Sequence, residues 1–335
     1  MSGVVTLADG AGGKASRRLV EELFLDELRN PLLEPLGDAA IVGMNGARFA
    51  FTTDSYVVRP LRFPGGDIGE LAVNGTVNDL SVAGAVPLAL SAGFVLEEGF
   101  PLDELRALTA SMARAARDAG VSVAAGDTKV VERGAADGLY VTTAGIGLLD
   151  LRAVLGLQRV RPGDRVLVSG GIAEHGIAVM LARGNLALEI DVMSDTAPLH
   201  ELTASLCAFG PSLRWMRDPT RGGVATTLNE LATGAGMSVV LTENAIPVRD
   251  DVRAACELLG IDPLYVANEG KLIAVVAPEA AEAALAALRA HPLGAGAADV
   301  GEIRAADVPL VLVETPFGGS RIVDMLVGDP LPRIC

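Results

Sequence analysis

The chain has 335 residues, half of them hydrophobic and 21% charged, enough apolar material for a sizeable core and too much for a disordered polymer. Its length suits about two domains at roughly 150 residues each. A formal charge of −15 argues against a nucleic-acid binder, and three cysteines with no C-x-x-C pair rule out a disulfide framework or a cysteine-rich zinc site and suit a reducing compartment.

The opening MSGVVTLADGAGGK lacks the basic and apolar regions of a secretory signal. Residues Leu80 to Leu96 carry no charge, but the run falls short of the ~20 residues of a membrane span and contains Pro87. A buried helix, turn and strand are expected there, in a soluble cytoplasmic protein with no membrane partner.

In chain order, ARFAFTTD (47–54) reads as a strand ending at Asp54, and 68–83 as a helix. A second helix opens at Pro101, stripes Leu105, Leu108, Met112 and Ala116 on one face, and stops at Gly120. VSVAAGD (121–127) and LYVTTAGIGLL (139–149) read as strands. A turn at Arg161-Pro-Gly-Asp marks a boundary, so three parts are expected: 1–155, 156–320 and a tail, 321–335. The second part alternates strands at 165–171, 237–241 and 271–277 with helices at 173–183, 222–233, 249–259 and 279–290. Pro330 and Pro332 stiffen the tail, which ends at Cys335.

Four aspartates, Asp38, Asp54, Asp79 and Asp127, draw attention because three of them sit at or near the ends of apolar runs, where loops gather functional groups. Carboxylates from several elements suit Mg²⁺ with bound phosphates, although each aspartate taken alone is more often a turn former or cap. GAGGK offers Gly10, Gly12, Gly13 and Lys14 as a phosphate cradle. It is not a Walker A loop, since Ala15 stands where Ser or Thr is required. It fits G-x-G-x-x-G/A, but the preceding strand is weak and no acidic residue follows at the Rossmann spacing. Arg221, Gly222 and Gly223 open a helix and make either an anion site or an ordinary cap. Glu269 in ANEGK occupies a glycine turn where a carboxylate can act as a base. Cys207 and Cys256 lie in apolar helices, whereas Cys335 is either a chance terminal thiol or a carrier.

Together, FTTDSYVVRPLRFPGGDIGELAVNGTVNDL, AAGDTKVVERG, MRDPTRGGVATTLNE, PLYVANEGKL and the closing PRIC resemble the HypE family of hydrogenase maturation proteins. That family is a branch of the aminoimidazole ribonucleotide synthetase-like group, and the likeness runs essentially the whole length. Asp9 and the Leu-Gly before Asp38 depart from the pattern. The resemblance implies an α+β N-terminal and an α/β C-terminal domain of the PurM-like fold. It also implies a homodimer whose N-terminal sheets close a barrel.

The implied reaction is ATP-dependent dehydration of a carbamoyl group on Cys335 to a thiocyanate. HypF would donate the carbamoyl group, and the HypC–HypD complex would accept cyanide for the iron of a nickel–iron hydrogenase. ATP and Mg²⁺ would be held by Asp38, Asp54, Asp79 and Asp127 with Asn78, Arg221 and the glycine loop. Lys14 and Lys129 would offset phosphate charge, and Glu269 would remove protons. Phosphorylating the amide oxygen turns a poor leaving group into phosphate, a step that depends on alignment and charge neutralisation. Two other readings stand beside it: a small-molecule kinase or synthetase of the same group, and a non-enzymatic scaffold.

Overall fold

The structure, a computed structural model, describes residues 4–184 and 190–326. Near the N-terminus, α1 (Lys14–Leu19) passes through one π-helical turn into α2 (Leu25–Leu28). The pairs Arg17–Glu21 and Arg18–Glu22, one turn apart, support this arm. A hairpin follows, β1 (Ala40–Met44) and β2 (Ala47–Tyr56), turned by Asn45–Gly46 with both residues at positive φ. The short strands β3 (Arg62–Phe63) and β4 (Gly66–Asp67) lead to α3 (Ile68–Val82), whose first N–H groups are capped by the Asp67 carboxylate. Then come β5 (Ala85–Glu97), α4 (Leu102–Asp118), β6 (Ser122–Val131) and β7 (Leu139–Leu149).

The first sheet runs β1-β2-β7-β5-β6, antiparallel except for β5–β6. Nearly every residue of α3 is buried, because it lies between the sheet and the amphipathic α4. The charge-free run is therefore the end of α3, a turn and β5, as its length predicts. The other sheet face is open: Met44, Phe51, Val86, Leu88, Ile146 and Leu148 are exposed on it. The expected barrel is not closed within one chain, since β1 and β6 are the sheet's two edges.

The second half contains β8 (Arg165–Val168), α5 (Glu174–Ala182), α6 (His200–Cys207), β9 (Leu213–Arg217), α7 (Gly223–Ala235) and β10 (Ser238–Thr242). It continues with α8 (Asp250–Leu259), β11 (Ile273–Val276), α9 (Ala281–Arg289), β12 (Ala298–Arg304), β13 (Val311–Glu314) and β14 (Ser320–Ile322). Its sheet order is β14-β13-β10-β12-β8-β11-β9. Strand–helix alternation suggests parallel pairing, yet only β10–β13 is parallel. Side chains alternate between two cores: Val166 and Val168 pack with Val224, Leu228 and Leu231 of α7, while Leu167 packs with Leu202 and Leu206 of α6 and Leu288 of α9. Helices thus cover both faces, and the half is a layered α/β structure with a mostly antiparallel sheet.

Side-chain bonds join the halves at α3. Asn78 Nδ2 donates to the carbonyls of Ala197 and Glu269, both at 3.0 Å, while its Oδ1 accepts from Leu199 N–H at 2.8 Å. Asn74 adds a bond to Thr196 Oγ1. Among the described residues, no helix is long and apolar enough to cross a membrane.

Candidate active site

Four carboxylates from separate elements meet beside this junction. Asp38 precedes β1, Asp54 lies in β2, Asp79 is near the end of α3, and Asp218 follows β9. Carboxylate oxygens of Asp38, Asp79 and Asp218 lie within 4.8 Å of one another. Asp54 lines the same pocket of about 290 Å³, together with Thr52, Arg217, Arg221, Thr226 and Thr227. Thr52 Oγ1 donates to Asp79 at 2.7 Å, and the Tyr56 hydroxyl donates to Asp54 at 3.1 Å.

Enclosure by protein pushes the carboxyls of Asp38, Asp79 and Asp218 up, and neighbouring carboxylates add to it, Glu230 and Asp54 at Asp38, Asp54 and Asp218 at Asp79, and Asp38 and Asp54 at Asp218. The Arg217 guanidinium opposes the rise at Asp38, 2.7 Å away, and also pairs with Glu230 at 2.9 Å. Three converging acids with one arginine beside them leave negative charge in excess. Hard oxygen donors in that arrangement fit Mg²⁺, which shares its coordination with phosphates and water. Buried Glu269 is also pushed well up, by desolvation and then by Asp218, Asp195 and Asp54, with Arg221 acting in the opposite sense.

The mouth is built by the glycine loop and α7. Arg221 Nη1 donates to Gly10 O at 2.9 Å. A Cβ on Gly12 would lie 2.8 Å from the Arg221 Cβ, and one on Gly13 would lie 2.5 Å from the Leu326 carbonyl oxygen, so both positions require glycine for close approach. Lys14 N–H donates to Leu326 O at 3.0 Å, and its ammonium pairs with Asp324 at 2.5 Å. The loop therefore joins the start of α7 to residues 324–326, within the part expected as the tail, which is thus tied to the body at its beginning. Thr226 Oγ1 is buried without a hydrogen-bond partner among the described residues, in the first turn of α7. A larger groove of about 750 Å³, walled by α1, α2, Leu157, Trp215 and Leu231, shares Gly12, Arg217 and Glu230 with the pocket.

Asp38, Asp54 and Asp79 thus converge, with Gly12 and Arg221 on the rim. Asn78 is buried behind the pocket with its amide engaged by backbone groups. Asp127 does not end its strand, because Thr128 to Val131 continue β6 with β-branched residues. It stands exposed on that edge, paired with Lys129 at 2.8 Å, and neither residue lines the pocket within one chain. Cys335 lies outside the described residues. Asp218 and Thr226 are additions to the sequence-derived set. Asp218 directly follows a strand, LRWMR, a position like that of Asp54, although its two arginines interrupt the apolar run.

Comparison with known proteins follows the same division. Residues 36–149 match the AIR synthase related protein N-terminal domain, and residues 161–312 match the C-terminal domain of that family. The chain is 54% identical to the carbamoyl dehydratase HypE of Bradyrhizobium diazoefficiens, over 100% of this chain and 97% of that protein. Identity to the corresponding Azotobacter vinelandii protein is 53%, over 100% and 98%. A crystal structure of a HypE in complex with ATP superposes with a TM-score of 0.83 at 47% identity, covering 99% of this chain and 100% of that one. The structure of a HypE–HypF complex gives 0.88 at 46% identity, covering 92% and 99%. A thiamine monophosphate kinase from Aquifex aeolicus, 16% identical with a TM-score of 0.67, covers 90% of this chain and 100% of its own and shares the fold.

Proposed function

The chain belongs to the HypE family of carbamoyl dehydratases, and on that premise we propose how its residues perform the reaction. It uses ATP to dehydrate an S-carbamoyl group on its own Cys335 to a thiocyanate, the cyanide source for a nickel–iron hydrogenase. The observation that carries the assignment is the convergence of Asp38, Asp79 and Asp218 beside Asp54, facing the N-terminus of α7. Such a site binds a metal-bound triphosphate through carboxylates on one side and through Arg221, Thr226 and helix N–H groups on the other.

Asp38, Asp54, Asp79 and Asp218 would hold Mg²⁺, which supplies charge neutralisation on the phosphates when bound. The carbamoyl oxygen attacks the γ-phosphorus and ADP leaves. One N–H proton is lost as the C=N bond forms, giving an S-bound imino phosphate. Loss of the second N–H proton, with cleavage of the C–O bond, then releases phosphate and leaves S–C≡N. Glu269 is assigned as the base for these proton removals, because it is buried near enough to Asp218 and Asp54 for their charges to act on its carboxyl, and its backbone is held by Asn78 and Asp195.

A second copy of the chain is the proposed occupant of the open apolar face carrying Phe51, Ile146 and Leu148, since burying it would close the sheet. Asp127 and Lys129 are assigned to that assembly, where β6 is no longer an edge and the pair can face phosphates across the interface. A HypF-type carbamoyl transferase would load Cys335, a HypC–HypD-type complex would unload it, and the cytoplasm is the proposed compartment.

Intact-mass spectrometry after incubation with the transferase, carbamoyl phosphate and ATP tests this directly. Carbamoylation should add about 43 Da and ATP should then remove about 18 Da, the masses expected for a group carried covalently on Cys335. Phosphorylation of a free small molecule by a chain lacking residues 327–335 would favour the kinase reading instead.

A further inference from the structure

The turn that carries Glu269 is clasped by a residue outside the pocket. Asp195 lies in the segment between α5 and α6, and its side chain is 1% exposed. Its Oδ1 accepts the Glu269 backbone N–H at 3.1 Å, and its Oδ2 lies 3.1 Å from the Lys271 ammonium. One carboxylate therefore grips the turn both at Glu269 and two residues beyond it. Between these points Gly270 presses on the backbone at Asp195 so closely that a Cβ would overlap the Asp195 carbonyl oxygen. Lys271 is itself buried and has Glu174 as a second acidic neighbour at 3.6 Å. The Glu269 carbonyl is fixed from the opposite side by Asn78.

We infer that Asp195 is a positioning residue for dehydration: its double grip on the 269–271 turn sets the direction in which the Glu269 carboxyl faces the pocket. This rests on Glu269 being the base. An anchor for Lys271 alone would need only an ion pair, whereas Asp195 also holds the peptide N–H of Glu269 itself. Among the described residues no hydrogen bond or ion pair joins the Asp195 side chain to the acidic cluster or the glycine loop, so its removal should leave nucleotide binding alone. Misplacing a catalytic group by about 1 Å costs up to roughly 100-fold, and Asp195→Asn is expected to slow dehydration by about 10- to 100-fold.

The experiment is a double-mutant cycle on full-length protein pre-carbamoylated at Cys335, with single-turnover loss of water followed by mass and ATP affinity measured separately. Asp195→Asn should slow dehydration in the wild-type background and keep ATP affinity. In the Glu269→Gln background it should slow nothing further, since a misaimed base and an absent base are equivalent. Equal slowing in both backgrounds, or none in the wild-type background, overturns the inference while leaving Glu269 as the base. A wild-type rate for Glu269→Gln alone overturns the assignment of the base, and this inference with it. Asp195→Asn keeps an acceptor for the Glu269 N–H and loses the ion pair with Lys271; should it fail to fold, Lys271→Met removes that ion pair from its other partner and enters the same cycle with the same two outcomes.

Discussion

Replacing Asp79 by Asn should make the empty protein more stable and at the same time disable it. Asp79 is enclosed near Asp38, Asp54 and Asp218, and its carboxyl is pushed well above the ordinary value of 3.8. The unfolded chain, with the lower pKa, releases its proton first as pH rises. The folded form then bears either a trapped proton or an unfavourable charge, so stability falls as pH climbs from about 4 through the raised value. At 4.8 Å and an effective dielectric of about 20, one pair of charges repels by roughly 3.5 kcal/mol. Protonation caps the penalty, because neutralising a carboxyl of ordinary pKa 3.8 at pH 7 costs only about 4 kcal/mol. After allowance for the partly open edge and for Asn desolvation, a gain of about 2 kcal/mol is expected. The Thr52 hydrogen bond survives, since the Asn carbonyl can accept it. Over 335 residues that gain raises the melting temperature by about 3 °C, at roughly 2.1 cal/mol/K of unfolding entropy per residue. Thermal scans in chelator from pH 5 to 8 should show the variant pulling ahead of wild type as pH rises. Adding Mg²⁺ and ATP should stabilise wild type and leave the variant almost unmoved. A variant that melts below wild type at pH 7.5 in chelator would refute the electrostatic argument and make Asp79 a structural acceptor.

Other substitutions probe the remaining assignments. Glu269→Gln should accept the carbamoyl group and bind ATP normally but dehydrate about 10²- to 10⁴-fold more slowly, read by single-turnover mass loss; a wild-type rate removes it from the chemistry. Cys335→Ala should abolish thiocyanate formation with ATP affinity near normal by calorimetry, and a large loss of affinity would contradict the carrier role. Ile146→Asp on the open sheet face should convert a dimer to a monomer in light scattering and depress turnover; an unchanged mass would leave that face without a second copy.

Periodicity revealed the elements that bury a single face. The stripe Leu105, Leu108, Met112 and Ala116 makes α4 legible, because burial of a single helix face forces a repeat near 3.6. The hairpin β1–β2 has its own signal, the Asn45-Gly46 dipeptide, but the glycine at 43 and the exposed Met44 blur the alternation before it. β12 is harder to read because Gly301 interrupts it where the strand crosses the Val240 backbone, and β13 and β14 are only four and three residues long. At the site, aspartates beside apolar strands are visible, but convergence is a tertiary property. Asp218 and Asp127 carry the same local signature, and only the first reaches the pocket within one chain. Asn78 is legible as a polar residue in an apolar helix, although its amide proves to bond backbone groups of the other half.

Those Asn78 bonds bear on how the enzyme shuts out water. Many enzymes that transfer phosphate close by swinging one lobe over the other about a hinge. Here a single side chain in α3 holds three backbone groups of the opposite lobe, and one of them belongs to the residue assigned as the base. A swing at this junction would break all three bonds and carry Glu269 away from the acidic cluster. The bonds therefore oppose a hinge at α3, and any closure that preserves them would have to come from the segments at the mouth, the glycine loop and the residues around Asp324 that it touches.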